Sequence, residues 1–115
     1  MLRTKRIYEP PADEDGIRIL VDRIWPRGVS KDAAQLDLWL KEIAPSKELR
    51  VWFGSDTDKW DEFKQRYFRE LDDKPELVDE IMSRAKNDTV TLLFGKKDEH
   101  YNQAVALLEY LGAKS

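Results

Sequence analysis

Cysteine is absent from this 115-residue chain, and its absence removes disulfides, thiolate nucleophiles and zinc–cysteine sites together. Histidine occurs once, at His100, which leaves zinc without a ligand set. No apolar run approaches the ~18 residues that a membrane span needs. The amino-terminal Met1-Leu-Arg-Thr-Lys-Arg6 has no apolar segment behind it of the kind a secretory signal requires. A cytoplasmic protein with no membrane contact is the simplest expectation. No phosphate-cradling Gly-rich loop, dinucleotide fingerprint or nucleophile elbow is present, so no cofactor and no resident metal are expected. The net charge of −3 argues against a dedicated nucleic-acid binder, which needs a basic face. Arg3, Lys5 and Arg6 make only a short basic patch that reads as solvated.

What remains is an ordinary globular balance, 41% hydrophobic and 37% charged. With no repeat, low-complexity segment or Gly/Ser linker, one domain over residues 1–115 is expected. Its organising stretch is Ile17-Arg-Ile-Leu-Val-Asp-Arg-Ile-Trp-Pro-Arg-Gly28. The apolar start reads as a buried parallel strand from about Ile17 to Ile24, after which Pro26 and Gly28 make a turn. Polar residues at the carboxyl end of such a strand stand where open α/β sheets place ligands.

Elsewhere the pattern alternates strands and helices. Lys5–Tyr8 is a plausible first strand, and the Pro/Asp/Glu-rich 9–16 segment is irregular. Ser30 is placed to cap a short helix through Gln35. Residues 36–43 fit either a strand at Leu36–Leu40 or a helix continuing from Ser30, the strand being preferred. Ala44-Pro-Ser46 is a break, and Leu49–Phe53 an apolar knot before Gly54. Trp60, Phe63, Tyr67, Phe68 and Leu71 lie on one helical face, with Ser55 as the expected cap and acidic residues in the first turns. A further helix opens with a capping box at Asp73–Glu76 and buries Leu77, Val78, Ile81, Met82 and Ala85. Thr89–Phe94 is the last strand, and Asp98 is expected to cap a last helix stopped by Gly112. The prediction is a small single-domain α/β fold with a mainly parallel sheet of about four strands and helices on both faces.

Val21-Asp-Arg-Ile-Trp-Pro-Arg-Gly28, Ala44-Pro-Ser46, Glu48-Leu-Arg-Val-Trp-Phe-Gly54 and Trp60-x-x-Phe63-x-x-x-Tyr67-x-x-Glu70-Leu71 together resemble the YeaO-like family, a branch of domain-of-unknown-function family 488. The resemblance covers nearly the whole chain. It implies an α/β fold and a bacterial or archaeal cytoplasmic origin, and it carries no particular activity with it. Two positions depart from the family pattern. Family members commonly carry histidine after Phe-Gly, where this chain has Ser55, and again at the position of Tyr101, one place after His100. Related branches place a Cys-His-Arg after the last strand. Chemistry that needs a thiol, or an imidazole at those two positions, is not carried over.

Parallel strands would gather Asp22, Arg23 and Arg27 with Ser46 and Arg50, and with Lys97, Asp98, His100 and Asn102 from the last junction. Several guanidinium forks beside a helix amino terminus suit a phosphate or carboxylate. The competing reading is an internal salt-bridge network around Asp22 and Arg23. Asp22, Asp98 and His100 are the weak candidates for acid/base catalysis. Against His100 stands its place in an exposed first turn; Asp98 reads better as a helix cap than as a Mg²⁺ ligand with Asp22. Trp39, Trp52 and Trp60 read as packing residues, whereas Trp25, between two arginines, could stack on a ligand. The functional expectation is an anionic small-molecule binder using Arg23, Trp25, Arg27, Ser46, Arg50 and Asn102. The alternative is a non-catalytic protein- or RNA-interaction module built on the Trp25/Arg27 loop, which needs Trp52 and Phe53 exposed. Whether a reaction is catalysed, and the oligomeric state, are left open by the sequence.

Overall fold

The computed structural model describes residues 1–114. Four strands, β1 (Leu2–Arg6), β2 (Ile17–Leu20), β3 (Leu38–Trp39) and β4 (Val90–Phe94), form one sheet in the order β1-β4-β2-β3. Every pairing in it is parallel. Five α-helices, α1 (Lys31–Ala34), α2 (Lys47–Phe53), α3 (Trp60–Asp72), α4 (Pro75–Ala85) and α5 (Gln103–Lys114), complete the chain. The α/β architecture expected from the alternation is therefore the one observed.

The two central strands explain the layering. Alternate residues of a strand face opposite sides, so Ile19 and Val21 of the β2 segment and Val90, Leu92 and Phe94 of β4 share one face. There they join Phe63, Tyr67, Leu71, Ile81, Leu107 and Leu111 of α3, α4 and α5 in the main core. Leu20 and Leu93 point the other way, into a small cluster with Ile7 and Ala34 that Trp25 and Trp39 flank. The helical cover is thus asymmetric, with the single turn of α1 and the neighbouring loops closing the second face.

That second face also buries charge. Asp15 and Arg18 are both buried, joined by an ion pair of 2.6 Å. Lys5 adds its ammonium to Asp15 at 3.0 Å, and the Arg18 guanidinium donates to the Ala34 and Gln35 carbonyls. Burial works to raise the Asp15 carboxyl, but the Ala12 N–H and the two cations outweigh it and hold it below its ordinary value. Gly16 follows at φ +65°, and a Cβ there would lie 2.2 Å from the Thr89 carbonyl oxygen, so only glycine fits.

Several element boundaries differ from the sequence reading. β1 begins at Leu2, because an edge strand paired with β4 alone does not require an unbroken apolar run. β2 ends at Leu20, so Asp22 and Arg23 lie beyond the ladder and Ile24 is 68% exposed. The 36–43 stretch contains a strand, two residues long, as preferred. Leu49–Phe53 is helical, within α2. The cap ahead of α3 is Asp56, which accepts from the Asp58 N–H and opens a 3-10 turn; Ser55 does not cap. Asp73 ends α3 instead of opening α4, whose amino terminus has Pro75 and no side-chain cap. Gly112 lies inside α5, which continues to Lys114.

Candidate functional site

Beyond the carboxyl ends of β2 and β4 the chain leaves two adjoining hollows. One, of about 180 Å³, is lined by Asp22, Arg23, Ile24, Ala44, Pro45, Arg50, Lys96 and Gln103. The other, of about 160 Å³, shares Pro45, Arg50, Lys96 and Gln103 and is completed by Phe53, Gly54, Phe63 and Asn102. The first, the polar hollow, holds most of the charged side chains, while the second is walled by aromatic rings.

Asp22 sits at the sheet side of the polar hollow. Its Oδ2 accepts the Gly95 N–H at 2.9 Å and its Oδ1 accepts the Gln103 side-chain amide. A Cβ at Gly95 would stand 2.9 Å from that Oδ2 and 3.4 Å from Pro26 Cβ, so glycine at the end of β4 lets the carboxylate approach. Burial pushes the Asp22 carboxyl up to about 6, although both hydrogen bonds and the Arg50 charge pull the other way. Such a group in a cleft is a functional-site candidate on physical grounds.

Arg50, on the last turns of α2, lines both hollows. Its Nε–H is buried and has no hydrogen-bond partner among the described residues. Arg23 shares that condition at Nε, while its terminal nitrogens reach the Ala44 carbonyl at 3.4 Å and the Glu42 carboxylate at 3.6 Å. A third unpaired Nε–H, on Arg84 of α4, lines neither hollow. Lys96 lies 4.6 Å from the Phe53 ring centroid and donates to the Gly54 carbonyl at 3.4 Å. Burial draws its ammonium below the ordinary value, against the attraction of Asp98.

The expected site residues divide accordingly. Asp22, Arg23, Arg50 and Asn102 line the hollows. Asn102 is committed to structure there: buried, it donates to the Asp98 carbonyl and accepts the Val105 N–H at 3.0 Å, capping α5. It takes the role expected of Asp98, whose Oδ1 accepts the His100 and Tyr101 N–H groups in the turn before the helix. Those two bonds hold the Asp98 carboxyl below its ordinary value. His100 is exposed and lines neither hollow.

Ser46 caps α2 through the Leu49 N–H and donates its hydroxyl to Glu70 at 2.6 Å. Trp25 donates its indole N–H to the Val29 carbonyl at 2.6 Å and meets Trp39 edge-on at 5.3 Å, so it packs the second face and does not line the hollows. Arg27 is exposed at that loop and lines neither hollow. Lys96 and Gln103 were outside the expected set. A Gly-Lys-Lys run after a strand is a usable signal for Lys96, whereas nothing in residue type marks Gln103.

The Phe53 ring is buried, and partly buried Trp52 is covered by Arg66 at 4.3 Å and Lys59 at 5.0 Å. The apolar patch that an interaction module would need at these two residues is therefore closed.

Among known proteins, the family model described as "Inactive DUF488-N3 subclade" matches residues 1–115. The chain is 39% identical over 110 residues to "Uncharacterized protein YeaO" of Escherichia coli, covering 96% of each. It is 37% identical over 113 residues to "Uncharacterized protein Mb3100c" of Mycobacterium bovis, covering 98% of this chain and 95% of that one. "Uncharacterized protein Rv3073c" of Mycobacterium tuberculosis matches to the same extent. No solved structure matches. Among the described residues no helix is long and apolar enough to cross a membrane.

Proposed function

This chain belongs to the YeaO-like DUF488 family, in the branch whose model is described as inactive, and on that premise we propose that it binds a small anion at its strand ends without chemically transforming it. One observation carries the reading. Arg50 presents a guanidinium to both hollows that makes no side-chain hydrogen bond or ion pair among the described residues. The guanidinium fork at a hollow's wall suits a carboxylate or phosphate oxygen, which two of its N–H groups can hold together. Arg23 and Lys96 add positive charge around the same space.

Binding without turnover accords with the side chains present. The positions where the family resemblance leads one to look for histidine are Ser55 and Tyr101, the neighbours of Gly54 and Asn102 in the aromatic-walled hollow. Tyr101 packs edge-on against Trp60 at 5.4 Å. Among the described residues no imidazole therefore lines the hollows, and Asp22 is their only carboxyl.

The test is a thermal-shift and calorimetric titration with acetate, phosphate and sulfate. An anion at 100 times its dissociation constant should stabilise the protein by about 2.7 kcal/mol. Arg50→Gln should abolish that gain, whereas Arg27→Ala, changed outside the hollows, should keep it. Undiminished binding by the Arg50 variant would sink the reading.

A further inference from the structure

We infer that the anion is the head of an amphipathic monocarboxylate, its apolar body of about the size of one phenyl ring lodged in the aromatic-walled hollow. This deepens the anion-binding reading and rests on it. Two features of the hollows lead there, one concerning charge and the other volume.

Charge selects a monoanion. Three cations, Arg23, Arg50 and Lys96, line the polar hollow together with the carboxyl of Asp22. Arg23 already faces Glu42 at 3.6 Å and Lys96 is drawn by Asp98, so the positive charge left to a ligand is at most about one unit. A dianion would bring a second negative charge against Asp22 with no cation to match it. A single carboxylate fits, with its two oxygens across the Arg50 fork.

Volume and lining select the rest of the molecule. The second hollow, about 160 Å³ and open on one side, is bounded by Phe53, Phe63 and Pro45 together with polar side chains, and its volume is of the order that one benzene ring fills, about 150 Å³. Pro45, Arg50, Lys96 and Gln103 line both hollows, so the two spaces adjoin at the guanidinium. A molecule with one charged end and one ring can occupy both at once, burying apolar surface that an inorganic anion leaves wet.

The experiment compares acetate, phenylacetate, 1-naphthylacetate and inorganic phosphate by calorimetry, with amide chemical shifts followed by NMR. Phenylacetate is expected to bind about tenfold or more tighter than acetate and to shift the amides of Gly54, Lys96 and Gln103. The naphthyl compound, too large for the hollow, should lose that advantage, and Arg50→Gln should abolish binding of phenylacetate while its melting curve remains cooperative. Acetate or phosphate binding as tightly as phenylacetate, with loss in Arg50→Gln, would overturn the amphipathic ligand and leave the anion site standing. No binding of any of the four would overturn both.

Discussion

Asp22 carries a carboxyl that burial pushes up to about 6, against the opposing pull of the Gly95 N–H, the Gln103 amide and the Arg50 charge. The ordinary value for the group is 3.8, so the native state holds this proton more tightly than the unfolded chain does. The native state binds more protons between about pH 4 and about pH 6, and stability contributed by this group therefore falls as pH rises through that window. Above it the cost of the buried charge is complete and constant. Asp22→Asn removes that titration. Its unfolding free energy from urea titrations should gain on wild type from about pH 4 to about pH 6 and run parallel above. Curves parallel over the whole range would show that Asp22 titrates normally.

The seven-residue helix α2 is too short to stand on propensity and is held at its start by a residue from another element. Glu70 of α3 accepts the Ser46 N–H at 2.8 Å and the Ser46 hydroxyl at 2.6 Å, while Ser46 Oγ accepts the Leu49 N–H at 3.2 Å. Arg50 reaches the hollows only because this helix forms where it does. Glu70→Ala should cost about 1–3 kcal/mol in chemical denaturation and weaken anion binding without touching the hollow; a loss below about 0.5 kcal/mol would show the Ser46–Glu70 link to be idle. Here the limits of sequence reading have a physical cause. Leu49–Phe53 offers no amphipathic period over so few residues, and its stabilising carboxylate lies 24 positions downstream of Ser46. α3 and β4 were legible because one carries a long helical stripe and the other a continuous apolar run. Ser55, Asp73 and Asp98 have the residue type of caps but do not cap, because Asp56 and Asn102 take the role ahead of α3 and α5 and Asp73 ends α3. At the site, the expectation of parallel strands is enough to group Asp22, Arg23 and Arg50, whereas Gln103 enters through the packing of α5 and Trp25 leaves through its own hydrogen bond.

For the molecule as a whole, the two faces of the sheet are stabilised by different physics. One buries aromatic and aliphatic side chains under α2, α3, α4 and α5; the other closes over Asp15, Arg18 and Lys5, with the Thr91 hydroxyl donating to the Asp15 carbonyl at 2.6 Å. Removing one partner from a buried pair leaves a charge uncompensated, so Asp15→Ala should cost about 3–5 kcal/mol. Glu109→Ala, which breaks the more exposed pair with Lys64 at 3.1 Å, should change stability by less than about 1 kcal/mol. Equal effects of the two substitutions in urea melts would remove the distinction between the faces. The strand order has a consequence for the chain during its synthesis. β4 lies between β1 and β2, pairing Leu2 with Val90 on one side and Ile17 with Val90 on the other. Translation therefore delivers the two amino-terminal strands long before the strand that joins them, and loop closure this long is slow. A nascent chain arrested before Val90 has emerged can pair β2 only with the two residues of β3, and on the ribosome the sheet waits for β4 to join its halves.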